Sequence, residues 1–422
     1  MRDVLFLSYF FPPMGGGAVL RALKFAKYLP AFGWRPLVVA GAGGYHVRDE
    51  SLTAEVGAAA LVRRVGPRRI LGRGADGAGD YRPPSGNVAA RGARRLSRGL
   101  RRFFSFPDVY SWFGRPAYDE ARRLLAAHDV EVIFSTAPPY TSHVVASRLA
   151  REAGVPLVLD YRDAWADNPF DKAPTPWHRR RTARAEAAAL GAAEAVVAVT
   201  EGMAASYRRR LPGGKRVALI PNGYDEEDFG EDIPAAAGPF AVAYSGQLYG
   251  GRMPWTFLAA AARFARRRGL GAGEFVARFA GPVGRKVLAR AAASGVRVEA
   301  LGVLGHREAV RVMRAADANL LIIGASPGAG TTLTGKIFEY LRAGRPILAL
   351  VPPEGEAAAL VREFDAGVVV SPDDVDGAAA ALEAFYDGRG RAPRPAAAGL
   401  ERFERRRLTA ELAGLFDDVA AG

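Results

Sequence analysis

The sequence contains no cysteine, so neither a disulfide framework nor thiolate chemistry is open to it. Histidine is scarce, with five residues scattered along a chain of 422, which leaves no clustered ligand set for a structural or catalytic metal. The expectation is chemistry without a metal or bound cofactor. Also missing is any apolar run near the ~20 residues that a membrane-spanning helix requires. The N-terminus opens on a short strand-like run, Val4–Phe11, with no basic region ahead of a signal core. These absences point to a cytoplasmic protein, with no more than peripheral contact at the inner membrane surface.

What is abundant is positive charge. Lys and Arg number 58 against 44 Asp and Glu, a formal net charge of +14, and such a surface attracts phosphates, nucleic acid or anionic lipid. Charge alone does not choose among them, because an Ala-, Arg- and Gly-rich composition also accumulates arginine as ordinary solvated surface.

The length suits two domains, each able to bury its own core. Along the chain a short β-branched or aliphatic run, a Gly/Pro/Asp turn and a longer amphipathic stretch recur, the pattern of parallel sheets covered by helices. Expected strands are Val4–Tyr9, Pro36–Ala40, Val130–Phe134, Pro156–Asp160, Ala195–Val199 and Val217–Ile220, with helices such as Val19–Leu29 and Ser142–Glu152 between them. A polar, Pro/Ala-rich stretch at Asp225–Pro239 then separates a second series: Phe240–Tyr244, Phe275–Ala280, Val296–Ala300, Ala318–Ile323, Pro346–Leu350 and Ala366–Val370. The spacing predicts a first doubly wound domain over 1–234, a second over 235–399, and a C-terminal helix within 400–422 that packs back on the first. Gly72–Gly99 breaks the rhythm and reads as an excursion. It leads into Arg91, Arg94, Arg95, Arg98, Arg101 and Arg102, followed by Phe103, Phe104 and Phe106, a basic and aromatic run suited to an anionic membrane or acidic acceptor. A solvated loop packing its phenylalanines on its own domain is the alternative.

Three places carry candidate chemistry. The first strand runs through Pro12, Pro13 and Met14 into Gly15, Gly16 and Gly17 and straight into a helix. That arrangement suits a phosphate or carboxylate, although it lacks the spaced dinucleotide fingerprint and also serves as a plain tight turn. Asp160, Tyr161, Arg162, Asp163 and Trp165 lie where a strand ends, beside Tyr140 and His143 after the preceding strand; open α/β sheets place ligands at such ends. An internal Arg–Asp lock remains the alternative for that cluster, and a packing role for His143. In the second half, Gly246, Gln247 and Arg252 follow one strand, and Thr331, Thr334, Gly335, Lys336 and Glu339 open a helix. Backbone N–H groups at a helix start together with two cations provide for a pyrophosphate, and Glu339 can accept from two ribose hydroxyls.

At these residues the chain resembles the retaining glycosyltransferases of the GT-B fold, family 4. The resemblance runs through the Gly15–Gly17 loop, Ile220–Asp225, Ser245–Leu248, the strand and turn Val298–Gly305, Ala316-Asp317 and Lys336–Leu341 with Gly344–Pro346. It implies two Rossmann-like doubly wound parallel-sheet domains facing a cleft. The acceptor is then bound by the first domain through Gly15, Tyr140, His143, Asp160, Arg162, Asp163 and Trp165. The nucleotide-diphosphate sugar is bound mainly by the second, through Gly246, Gln247, Arg252, Gly281, Leu304, Thr331, Thr334, Gly335, Lys336 and Glu339, with Gly16 and Gly17 assisting.

Two departures qualify it. The family's Arg/Lys pair falls at Gln247 and Arg252, so Lys336 supplies the missing charge. The first of the family's two glutamates falls at Thr331, which points to an unusual donor sugar or a substitute residue. The reading is sugar transfer with retention, with Arg252 and Lys336 stabilising the departing diphosphate and Asp163 orienting the acceptor hydroxyl. The acceptor is a lipid-linked glycan precursor or a small natural product, and the partners include no nucleic acid. Alternatives of the same fold are a sugar-nucleotide epimerase or hydrolase and a catalytically silent NDP-sugar-binding homologue.

Overall fold

The structure is a computed structural model that describes residues 1–43, 47–66, 103–168, 173–230, 238–271, 273–389 and 398–422. The chain divides into two compact units: Met1–Pro221 together with Arg406–Gly422, and Asn222–Arg405.

The first unit is built on β1 (Arg2–Leu7), β2 (Trp34–Gly41), β3 (Leu61–Val65), β4 (Val130–Ala137), β5 (Leu157–Tyr161), β6 (Ala195–Ala198) and β7 (Arg216–Leu219). They form one sheet in the order β3-β2-β1-β4-β5-β6-β7, parallel throughout. The central strands are buried along nearly their whole length because helices cover both faces. Alternate side chains feed opposite layers: Leu5 and Leu7 join one core, Val4 and Phe6 the other. The C-terminal helix Arg405–Ala421 contributes Leu408, Leu412, Leu415 and Phe416 to that second layer. There Phe416 meets Trp34 edge to face at 5.4 Å, and Trp34 Nε1 donates to Asp417 Oδ1 at 3.1 Å. Burial of an aromatic such as Phe416 contributes roughly 1.5–3 kcal/mol.

The second unit carries β8 (Phe240–Ser245), β9 (Phe275–Ala280), β10 (Val298–Gly302), β11 (Ala318–Ile322), β12 (Ile347–Leu350) and β13 (Gly367–Val370). Their order is β10-β9-β8-β11-β12-β13, again parallel. Both units are therefore Rossmann-like. In each, strand order reverses beside the first strand, between β1 and β4 and between β8 and β11, and the crevice beyond the carboxyl ends at such a point is where open α/β sheets bind ligands.

The division falls at Pro221/Asn222, ahead of the 234/235 boundary read from composition. The reason is packing: Tyr224 and Phe229 are buried with Phe338, Tyr340 and Phe403, and Tyr224 exchanges backbone hydrogen bonds with Phe403 and Arg405 at 3.1 and 2.8 Å. The C-terminal segment, expected as one helix, is two pieces. A 3-10 turn at Leu400–Phe403 packs in the second unit, and the long helix follows it. Gly72–Gly99 lies outside the described residues, as do Arg91, Arg94, Arg95, Arg98, Arg101 and Arg102. Among the described residues, no helix is long and apolar enough to cross a membrane.

Candidate active site

In the second unit, β8 leaves the sheet at Ser245 and turns at Gly246, whose φ of +123° excludes most side chains. Gly281, which follows β9 at φ +148°, comes so close that a Cβ there would lie 2.1 Å from the Gly246 carbonyl oxygen. A Cβ on Gly246 would in turn meet Lys336 Nζ at 2.8 Å. Two glycines thus clear the space into which the Lys336 ammonium folds. The same edge gains Gly324 after β11, packed against the Gly251 backbone.

Hydrogen bonds fix this loop. Tyr244 OH donates to the Gln247 carbonyl at 3.0 Å, and Ser245 N donates to Tyr340 OH at 3.0 Å, tying the end of β8 to the helix Lys336–Ala343. That helix starts at Gly335 without a side-chain cap, with Glu339 in its first turn, so its first N–H groups present the positive end of the dipole. Thr334 Oγ1, at the same start, is buried with no hydrogen-bond partner among the described residues.

Lys336 makes no ion pair among the described residues; its Nζ sits 4.1 Å from the centroid of the Tyr244 ring. A cation–π contact is too weak to replace a counter-ion. Burial lowers its pKa from 10.5 to about 7, the positive charge of Arg252 acts the same way, and Glu339 opposes them. Arg252 itself donates to Tyr249 OH at 3.0 Å. Glu339 follows one turn after Lys336. Burial raises its pKa, and the nearby His306 counteracts that; His306 Nε2 lies 3.8 Å from Glu339 Oε1 and 3.1 Å from Asp228 Oδ2. The arrangement presents two cations and free N–H groups beside a carboxylate one helical turn on, a match to a diphosphate with a ribose attached.

Of the expected donor residues, the structure therefore gathers Gly246, Gly281, Arg252, Lys336, Gly335, Thr334 and Glu339 around one sheet edge. Gln247 is exposed in the loop after β8, and Leu304 is half-buried in the turn after β10. Thr331 is exposed and donates to the Gly328 carbonyl at 3.1 Å. Gly16 and Gly17 are exposed at the uncapped start of the helix Gly17–Tyr28 in the first unit.

The expected acceptor residues are arranged differently. Asp160 is wholly buried and engaged by its own fold: Arg21 Nη2 donates to its Oδ1 at 2.7 Å and Thr136 Oγ1 to its Oδ2 at 2.6 Å. Arg21 continues to the carbonyls of Pro221 and Ile220 at 2.7 and 2.8 Å. The internal Arg–Asp lock is thus what is observed, with Arg21 rather than Arg162 as the cation. Arg162 binds the carbonyls of Ala137, Ala18 and Pro138, stapling the turn after β4 to the first helix.

His143, expected in the acceptor set, lies in the core. It is 0% exposed, it shares a 2.9 Å hydrogen bond with Ser135 Oγ, and desolvation lowers its pKa to about 3. It is a neutral core residue, its Nε2 without a hydrogen-bond partner among the described residues. Tyr140 and Trp165 stack at 4.8 Å, both buried, and Tyr140 OH donates to the Ala164 carbonyl at 2.6 Å. Gly15 is also committed internally, its N–H bonded to the Val47 carbonyl at 2.9 Å and its Cα packed against Val47 and Asp49. Asp163 remains exposed at this rim.

Sequence reading missed Arg21 and His306. Neither carries a local signal. Arg21 lies inside an apolar helix and finds its partner 139 residues away; His306 follows the turn after β10 and reaches Glu339 only through the fold.

Residues 16–223 match the model of the Glycosyl transferase 4-like domain. No curated protein matches the sequence. Among solved structures, the chain is similar to HepE of Anabaena in complex with UDP and glucose (17% identity, TM-score 0.65, covering 99% of this chain and 100% of that one). It is similar to sucrose-phosphate synthase of Thermosynechococcus elongatus (15% identity, TM-score 0.67, 100% of both chains). A third likeness is to the lipopolysaccharide outer core galactosyltransferase WaaB in its apo form (13% identity, TM-score 0.55, 99% of both). At such identities the likeness establishes the shared fold of two parallel-sheet α/β domains, the GT-B type.

Proposed function

We propose that the protein is a retaining glycosyltransferase that moves a sugar from a nucleotide-diphosphate donor to an acceptor hydroxyl. The observation that carries this reading is Lys336, a lysine with no ion-pair partner among the described residues at an uncapped helix start, folded against Gly246 at the switch point of the second sheet. The match of residues 16–223 to a glycosyl transferase 4-like domain and the UDP and glucose held by a protein of the same fold support it.

In this reading the second unit binds the donor: Glu339 accepts from the ribose hydroxyls, the amides at Thr334 and Gly335 meet the diphosphate, and Lys336 and Arg252 neutralise it. The acceptor oxygen bonds to the anomeric carbon on the face from which the diphosphate departs. The carbon–oxygen bond to the diphosphate breaks, and the hydroxyl proton passes to the leaving phosphate. Preorganised positive charge at the departing group is the main source of acceleration. The first unit holds the acceptor, a lipid-linked glycan precursor or a small natural product, with exposed Asp163 orienting its hydroxyl. The reaction runs in the cytoplasm without a metal.

The test is product analysis by mass spectrometry over a panel of nucleotide sugars and acceptors. Donor turnover that depends on an acceptor and yields a glycoside with the donor's anomeric configuration supports the reading. Turnover without acceptor points to a hydrolase or epimerase, and tight nucleotide binding without turnover to a silent homologue.

A further inference from the structure

The helix Pro176–Ala192 is held at its start by Thr175, whose Oγ1 accepts from His178 N at 3.3 Å. Its first turn contains no acidic residue, and Arg179, Arg180 and Arg181 crowd the positive end of its dipole instead. Cations there oppose the dipole, so helix stability does not explain them. Nor do ion pairs. Elsewhere on this unit exposed arginines are matched, as in Arg148–Glu152 at 2.8 Å and Arg208–Glu201 at 2.5 Å, whereas Arg179, Arg180, Arg181 and Arg184 have no carboxylate partner among the described residues.

Trp177, Arg180, Arg181 and Arg184 fall at i, i+3, i+4 and i+7, one stripe of the helix, and all four are exposed. Trp177 is 59% exposed, Phe103 46% and Phe104 78%, an unusual cluster of bare aromatic surface. It is anchored rather than loose. His178, buried beneath, has Nε2 2.9 Å from the Phe103 carbonyl and its ring 4.8 Å from the Phe103 ring, while Phe104 packs on Phe103 at 5.3 Å. The Arg181 guanidinium lies 3.9 Å from the Phe106 ring and 5.2 Å from that of Trp177. The rings meet edge to face, with interplanar angles of 77° for Phe103–Phe104 and 89° for Trp177–His178. They offer apolar area rather than the open parallel faces on which bases stack. Protruding aromatics beside arginines that have no carboxylate partner among the described residues suit the boundary between headgroups and acyl chains, where rings insert and cations meet phosphate.

We propose that this stripe, with Phe103 and Phe104, docks the first unit on an anionic phospholipid surface. The proposal is independent of the glycosyl-transfer reading, because its test needs no turnover. The full-length protein is sedimented with vesicles of phosphatidylcholine alone or with ~30 mol% phosphatidylglycerol. Binding is expected only to the anionic vesicles and is released by high salt as charges are screened. Replacing Arg180, Arg181 and Arg184 together by Gln weakens it about 100-fold, at roughly fivefold per arginine. The tryptophan emission of the bound protein shifts to the blue, and Trp177→Phe removes that component. Trp177→Ser with Phe104→Ser, exposed positions whose change leaves the core intact, also reduces binding. Equal vesicle binding by the arginine variant and the parent overturns the proposal. So does failure of the folded parent to bind anionic vesicles, or a preference for duplex or single-stranded nucleic acid over vesicles through the same residues.

Discussion

The two switch points of this molecule use similar residues in opposite ways. In the first unit the charged groups at the sheet edge satisfy one another: Asp160 is enclosed by Arg21 and Thr136, Arg162 by backbone carbonyls. In the second, Lys336 stands beside Arg252 with no ion-paired carboxylate among the described residues, and burial lowers its pKa. A buried pair completed within the fold is architecture. A cation without an ion-pair partner among the described residues, at the switch point of the other sheet, suits an anionic ligand.

Breaking the lock of the first unit should give the largest effect. Arg21→Met strands a buried carboxylate and is expected to cost about 3–5 kcal/mol of stability in denaturant unfolding, most of it recovered when Asp160→Leu is added. Lys336→Met should leave stability unchanged or raise it, since it removes a desolvated charge. A destabilisation of Lys336→Met equal to that of Arg21→Met would erase the distinction.

Next comes catalysis. Lys336→Ala is expected to reduce kcat/KM by roughly 10²–10³, the loss of one partner of the departing charge, with a normal unfolding curve. An unchanged kcat/KM removes Lys336 from the mechanism.

The pH dependences of the two units should differ as well. Burial lowers the pKa of Lys336 to about 7, and a diphosphate binds its protonated form better. Calorimetric affinity for a nucleoside diphosphate should therefore fall as pH rises above 7, by at most tenfold per pH unit, and Lys336→Met should flatten that slope. His143, with its pKa lowered to about 3, binds fewer protons folded than unfolded between pH 3 and its ordinary 6.5. Its contribution to stability is thus present above pH 6.5 and lost as pH falls through that window. His143→Gln should lose less stability on acidification than the parent, while nucleotide affinity stays as it was. The smallest expected effect is none: with two protein cations at the diphosphate, turnover should persist in excess chelator, and loss that is restored by added divalent metal would refute metal-independent transfer.

Much of the architecture is legible in local pattern. Val4–Tyr9 was expected and Arg2–Leu7 is found; Phe275–Ala280 agrees residue for residue. The edge strand Leu61–Val65 went unread because Arg63 and Arg64 interrupt its apolar run at a position exposed to solvent. The site is legible in part. Gly246, Gly281 and Lys336 announce themselves because a glycine beside a strand end and a lysine opening a helix have few other uses together. Arg21 was read as one more helix residue, and the exposed stripe of Pro176–Ala192 was invisible because nothing in its sequence says which face is left bare.

By itself, the sequence determined the alternation of parallel strands and helices, through apolar runs and turn residues whose influence reaches only a few positions. It also determined where glycine permits the backbone to turn at positive φ. Only the tertiary structure decided which of several chemically similar groups is sealed and which is left incomplete. Asp160 is sealed by an arginine far along the chain, His143 became a neutral core residue by losing water, and Lys336 makes no ion pair among the described residues. Desolvation and charge pairing are set by neighbours that local sequence does not specify.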